Sequence, residues 1–314
     1  MKRFLIKRIV SVIPVLFVVS VVIFLLVHLV PGDPAAAMLG DMATPEDIAA
    51  LRARMGLDRP LLEQYFVWIG NIFRGDFGMS VTGNESVLSA ILSHLQPTVF
   101  LALYSLIIAA VIAIPLGMIA ARKRGALIDH TVTVLSLAGI SMPSFLFGLF
   151  LILIFAVKFR LFPVSGYVDP SRGILLHLRS LALPAITLGF MNAALMMRMT
   201  RASMLEVLNS DYIKMAKAKG VKDFFIVTKH AFKNTLVTLI TIIGQSIVHA
   251  LAGAAVVESL FAIPGLGQLM VNSIGRRDYY VIQTIVLLIA VFNVLVNMLI
   301  DIIYGIVDPR VRVN

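Results

Sequence analysis

Residues 98–121 read TVFLALYSLIIAAVIAIPLGMIAA, 24 positions without a charged side chain. About 20 such residues carry a helix across the hydrocarbon of a bilayer. No water reaches that layer, so every backbone N–H and C=O must be satisfied within the segment, and a helix does this. Small residues recur at every fourth position: Ala109, Ala113, Gly117 and Ala121. They make a flat stripe along which another helix can approach. Packing explains the stripe, and no chemistry is implied.

Five further runs lack Asp, Glu, Lys and Arg: 9–30, 131–157, 180–197, 235–257 and 279–300. Together the six predict an all-α integral membrane protein with six transmembrane helices. The run 180–197 is the shortest, at 18 residues, and carries Pro184 and Asn192. In the fifth run Ser246, Ala250 and Ala254 repeat the small-residue spacing. Composition agrees: the 314 residues are 59% hydrophobic and 14% charged, against roughly 25% charged in a soluble domain. The opening MKRFLIKR and the apolar run after it resemble a signal peptide, with Ala35-Ala-Ala37 as a cleavage site. At 22 residues the run exceeds the roughly 7–15 of a signal core, so an uncleaved first span is expected.

Six spans place segments 1–8, 122–130, 198–234 and 301–314 on one face, where 68 residues hold 17 Lys and Arg. Segments 31–97, 158–179 and 258–278 face the other side, with 10 in 110 residues. The first face is therefore cytoplasmic, termini included. This asymmetry accounts for the net charge of +10 without nucleic acid. The chain divides into a first span (1–30), an extracytoplasmic helical insertion (31–97) and a five-helix core (98–314). In the insertion, Thr44 can cap a helix that starts at Pro45 and ends at Gly56. A second helix from about Pro60 aligns Leu61, Tyr65, Trp68 and Ile72, and GDFG at 75–78 ends it.

Several chemistries are missing. The chain has no cysteine, no G-x-x-x-x-G-K-[ST] phosphate loop, no H-E-x-x-H and no G-x-S-x-G. No cofactor, metal site or catalytic residue is expected, and ATP is not bound through such a loop. Inside the spans only neutral polar groups occur: Asn192, Gln245, His249, Asn293 and Asn297. Arg198, Glu258 and Asp301 fall at span ends, where water is expected to reach them. An ion-coupled carrier needs charged groups within the membrane, so uphill transport by this chain requires energy from another subunit. Gln245 and His249 share one face of the fifth span and are candidates to line a translocation path.

The longest cytoplasmic loop, 198–234, contains NSDYIKMAKAKG at 209–220 and then VKDFFIVTKHAFKN. Asp211 is a candidate N-cap, Lys214, Lys217 and Lys219 complement the C-terminal dipole, and Gly220 suits the left-handed position beyond it. Tyr212, Met215, Ala216 and Lys219 share a face. Asp223 can cap a second short helix running into His230. Such a pair can dock in a groove on a cytosolic partner. It can equally lie on anionic lipid, and the pattern alone leaves both open.

The run AKAKG at 216–220 with His230 and Asn234 resembles the cytoplasmic "EAA" loop of ABC-importer permeases. The family's glutamate is replaced by Asp211 or lies slightly out of register. Further stretches are similar to the dipeptide, oligopeptide and nickel branch, in order along the chain. They are VPGDP at 30–34, MGLDRP at 55–60 with Gln64 and Tyr65, GDFG at 75–78, SMP at 141–143, RMTRASML at 198–205, FAIPGLG at 261–267, Arg277-Asp278 and DPR at 308–310. The resemblance implies a type I importer permease in the bacterial inner membrane, itself no enzyme. It implies a second homologous permease, two cytoplasmic ATPases and an extracytoplasmic solute-binding protein as partners, besides membrane lipid. It also implies that Asp211, Tyr212, Ala216, Ala218, Gly220, His230 and Asn234 couple the chain to the ATPase. Short peptides are the expected cargo. Nickel or a metal chelate is the alternative, and a secondary transporter or a channel is the rival class.

Overall fold

A computed structural model describes residues 2–29, 34–39, 43–54, 56–80, 83 and 85–307. The motif positions 30–33, Met55 and 308–310 lie outside them. In chain order the helices are α1 (Lys2–Leu29), α2 (Pro34–Leu39), α3 (Pro45–Arg54), α4 (Leu61–Phe73), α5 (Val87–Arg122), α6 (Leu127–Ser141) and α7 (Ser144–Leu151). The last continues as a π-helix, Ile152–Lys158. There follow α8 (Ile174–Leu208), α9 (Asp211–Ala218) and α10 (Asp223–Phe225). A second π-helix, Ile226–Ala231, leads into α11 (Phe232–Leu260), and α12 (Leu266–Gly275) and α13 (Tyr279–Val307) close the chain. Among the described residues the only β-pairing is an isolated bridge between Met79 and Ser86.

Among the described residues, four stretches are long and apolar enough to cross a membrane: Val87–Arg122, Ile174–Leu208, Thr238–Leu260 and Tyr279–Tyr304. The run 131–157, expected as one straight span, is a broken helix. α6 and the α7 segment bend by 106° at the Met142-Pro143 junction. Proline excludes its predecessor from helical geometry, and Met142 sits at φ −84°, ψ 126°. Counted as one, the bent pair makes a fifth span. α1 adds a shorter apolar stretch, Val10–Leu25.

The chain forms two compact units, one of residues 97–263 with the chain from 296 onward, the other of 2–96 with 264–295. In the first unit α8 is central. Half of its most apolar window is buried, against 22% for α5, although its uncharged run is the shortest. The α5 stripe performs as its spacing predicts: Ala109 and Ala113 are fully buried. A Cβ added at Gly117 would stand 2.9 Å from the Met197 carbonyl oxygen and 2.8 Å from Thr200 Cβ. Ser246, Ala250 and Ala254 of α11 are buried likewise.

In the second unit α3 begins as expected. The Thr44 hydroxyl accepts from Asp47 N–H (3.2 Å) and donates to the Asp47 carboxylate (2.6 Å). The hydroxyl bond to the carboxylate, joined by Thr44 N–H donating to it at 3.3 Å, holds the Asp47 carboxyl below its ordinary pKa. Gly56 and Gly75 adopt positive φ just past the ends of α3 and α4, and Gly78 does so in the loop before the Met79–Ser86 bridge. α4 packs on α1 through Tyr65, whose hydroxyl pairs with Ser20 at 2.8 Å. Val87, Ile91, Leu266, Val281 and Ile285 make a separate small core.

Candidate functional site

The segment 209–234 is built on the ends of two long helices. Ile213 is fully buried and clusters with Ala121 of α5, Met204 of α8, and Ile226, Val227 and Ala231 of the following π-helix. One face of α9 is thereby anchored, and the opposite face stays free. Tyr212, Met215 and Lys219 are exposed there and Ala216 is half-buried. Phe224 and Phe225, both exposed, extend the apolar surface.

Gly220 terminates α9 at φ +77°. Its N–H donates to the Lys217 carbonyl (2.9 Å), and Val221 N–H donates to the Ala216 carbonyl (3.2 Å). This is the paired closure of a Schellman motif, and Val221 packs into the small core beneath. The Asn234 amide donates to the Tyr212 hydroxyl at 2.5 Å, tying the start of α9 to the start of α11. His230 is half-buried in the π-helix, and Ala218 is exposed beside the helix end. Of the seven residues expected to couple, the loop thus joins Tyr212 to Asn234 and Ala216 to the Gly220 turn.

Three expectations need correction. Asp211 is not the cap of α9. Ser210 holds that position, and Asp211, one residue inside the helix, pairs with Lys214 at 2.8 Å. Asp223 does not cap the next helix either. Lys222 is at the N-cap, and Asp223 accepts from the Arg122 guanidinium at 3.0 Å. Both carboxylates are captured by nearby cations, which compete with backbone N–H groups. Glu258 is not at a wet span end. It is fully buried, with Thr98 donating to it at 2.6 Å.

An ion pair that the sequence does not announce ties the start of α6 to the C-terminal part of α8. Arg201 donates two hydrogen bonds to Asp129, the Nη2 bond at 2.9 Å. Asp129 also accepts from Gly125 N–H at 2.9 Å. Its side chain is 5% exposed and that of Arg201 27%. Through α8 the pair is continuous with the loop that carries α9. On α11, Gln245 and His249 are both exposed, while Ser246 and Ala250, each the next residue along, are buried. The polar face expected there therefore points away from the packed side of the helix.

Among the described residues, an all-helical, membrane-crossing core with a surface loop anchored on one face and bare on the other defines a multi-pass membrane protein. Residues 113–313 match the family described as "Binding-protein-dependent transport system inner membrane component", and residues 1–102 match its N-terminal companion family. The chain is 39% identical over 309 residues to the "Probable peptide ABC transporter permease protein y4tP" of Sinorhizobium fredii, covering 98% of this chain and 99% of that one. It is 40% identical to the "Di/tripeptide transport system permease protein DppB" of Pseudomonas aeruginosa and 38% to the "Dipeptide transport system permease protein DppB" of Escherichia coli K12, each over 99% of both chains. In fold it is similar to a chain of the MetNI methionine ABC transporter in an inward-facing conformation. That likeness has a TM-score of 0.57 at 21% identity and covers 70% of this chain and 97% of the other. The chain belongs to the binding-protein-dependent transport system inner membrane components. It is a multi-pass membrane permease subunit of the ABC-importer type, with the type I importer permease fold.

Proposed function

We propose that this chain forms half of the translocation path of a short-peptide importer, with α9 as the element that receives force from a cytoplasmic ATPase. The observation carrying this reading is the construction of α9. Ile213 fixes the helix to the permease body, Gly220 ends it sharply, and Tyr212, Met215 and Phe224 are left bare on the surface. Exposed apolar and aromatic groups on a firmly held short helix suit insertion into a cleft of a partner protein.

On this reading both termini and the α9 loop are cytoplasmic, six spans cross the membrane, and residues 31–97 lie outside. A second permease subunit pairs with this one, two ATPases grip the two loops, and a solute-binding protein delivers cargo. Gln245 and His249 line the path, since neutral polar groups on an exposed span face avoid lipid. Peptides are preferred over nickel because the curated relatives are named for peptides. The test is purification of the tagged chain from its native membrane, followed by reconstitution. Co-purifying ATPase subunits and ATP hydrolysis stimulated by a peptide-loaded binding protein are the expected result. A homogeneous transport-competent preparation without an ATPase would refute it.

A further inference from the structure

We infer that α4 is a lipid-immersed in-plane helix, whose exposed apolar stripe is covered by the acyl chains of one leaflet, and not a solvent-borne cap. Its side chains sort into three arcs. Tyr65 is buried and Trp68 and Ile72 are half-buried on the arc that faces α1. Leu62, Phe66, Ile69 and Phe73 fall at i, i+4, i+7 and i+11, so they share the adjacent arc. Leu62 is 73% exposed, Phe66 65% and Phe73 86%. Glu63, Gln64 and Asn71 occupy the remaining arc, where Val67, 46% exposed, lies between them. An apolar arc this wide, half of it bare beside a narrow polar one, is the signature of a helix lying in a membrane interface.

The packing partner sets the depth. Tyr65 and Trp68 meet Phe24 at centroid distances of 5.5 and 5.8 Å, and Tyr65 reaches Ser20. Gln64 meets His28 at 3.1 Å. At about 1.5 Å per residue, Phe24 lies about 8 Å along the axis inside Leu29, the last residue of α1. That agrees with the roughly 5–10 Å to which interfacial helices sink their apolar faces. The uncharged run 9–30 of α1 needs lipid around it, and Val18 and Val22 are already exposed there. The bare stripe of α4 extends this lipid-facing surface. Arg59, whose guanidinium pairs with Glu63 at 3.1 Å, and Arg74 bracket the helix with positive charge, as suits the level of phosphate headgroups. The topology argued above decides only which leaflet is involved.

The chain has one tryptophan, Trp68, and no cysteine, so depth can be read directly. The full-length chain is placed in nanodiscs of phosphatidylcholine and phosphatidylglycerol brominated either near the headgroup or near the chain end. Trp68 emission should be quenched at least twofold more by the shallow bromines, and little by aqueous acrylamide. Single spin labels on Phe66→Cys and Phe73→Cys, in the chain alone and assembled with cysteine-free partner subunits, should relax with oxygen and resist a water-soluble nickel chelate. Asn71→Cys should show the reverse. Labels at 66 and 73 open to the chelate would mean a solvated cap. Labels shielded from both reagents would mean a protein partner. Either result overturns the inference, and neither depends on which side of the membrane the loop occupies.

Discussion

Gly220 and the Asp129–Arg201 pair show what a single residue contributes and what a sequence can reveal of it. Nothing stands within 4 Å of a Cβ added at Gly220, so a substitution there is felt by the backbone alone. A β-branched residue at φ +77° costs more than the roughly 1–2 kcal/mol of an ordinary left-handed residue. Gly220→Val should therefore rebuild the end of α9 and abolish peptide-stimulated ATP hydrolysis at unchanged membrane abundance. Gly220→Asn, which tolerates that region, should keep most of the coupling. Equal activity of the two variants would show that the turn is not needed. Arg201→Ala leaves Asp129 buried without its main partner. The expected loss is about 3 kcal/mol, the low end for a buried pair because Arg201 meets some solvent. It should appear as a lower midpoint in detergent thermal unfolding, with Asp129→Asn/Arg201→Gln recovering part of it. Gly220 is legible in the sequence because its position after a run of lysines implies a helix end. The ion pair is not, because its partners are 72 positions apart and each alone reads as a surface charge.

At the scale of helices, charge-free runs found the long spans but not their bends. Pro143 stands in plain view, yet the run 131–157 remains uncharged through it, and hydropathy is blind to backbone direction. The shortest run became the most buried helix for a related reason. Its neighbours cover it, so polar groups such as Asn192 and Thr187 are carried inside and bond backwards to Leu188 and Leu183 carbonyls. The small-residue stripes, in contrast, were readable because close approach needs small side chains wherever it occurs. Gly117→Val should drive a side chain into the Met197 carbonyl and Thr200, separating α5 from α8 at a cost of about 1–3 kcal/mol. A clear fall in folded yield and melting temperature is expected. Gly70→Ala, with nothing within 4 Å of the new Cβ, should leave folded yield unchanged and raise the melting temperature slightly, because a helix-interior glycine is removed.

For the whole molecule, the cationic asymmetry and the ordered motifs carried the reading further than any site did. Single cysteines at Gly83 and Lys219 should label from opposite sides of intact membranes. Labelling of both from outside would invert or break the proposed topology. Cells lacking the gene should lose uptake of labelled di- and tripeptides. Loss of nickel uptake with peptide uptake intact would transfer the permease to the metal branch. Cargo identity is the part least written in this chain. On the proposed reading the path is lined by neutral groups such as Gln245 and His249, and weak binders leave little chemical signature.

The π-helix at Ile226–Ala231 has a consequence for how the family can diverge. A π-turn holds a residue more than an α-turn of the same rise, so the segment can absorb a deletion by tightening. Removing Thr228 alone would restore α-geometry and leave the flanking segments close to their present orientation, because the turn loses only its extra residue. α9 would then keep the side it presents, with every side chain of its own unchanged. Length variation in this one turn among related chains can therefore be taken up without moving α9, and an alignment gap at 226–231 would not by itself signal a rotated α9.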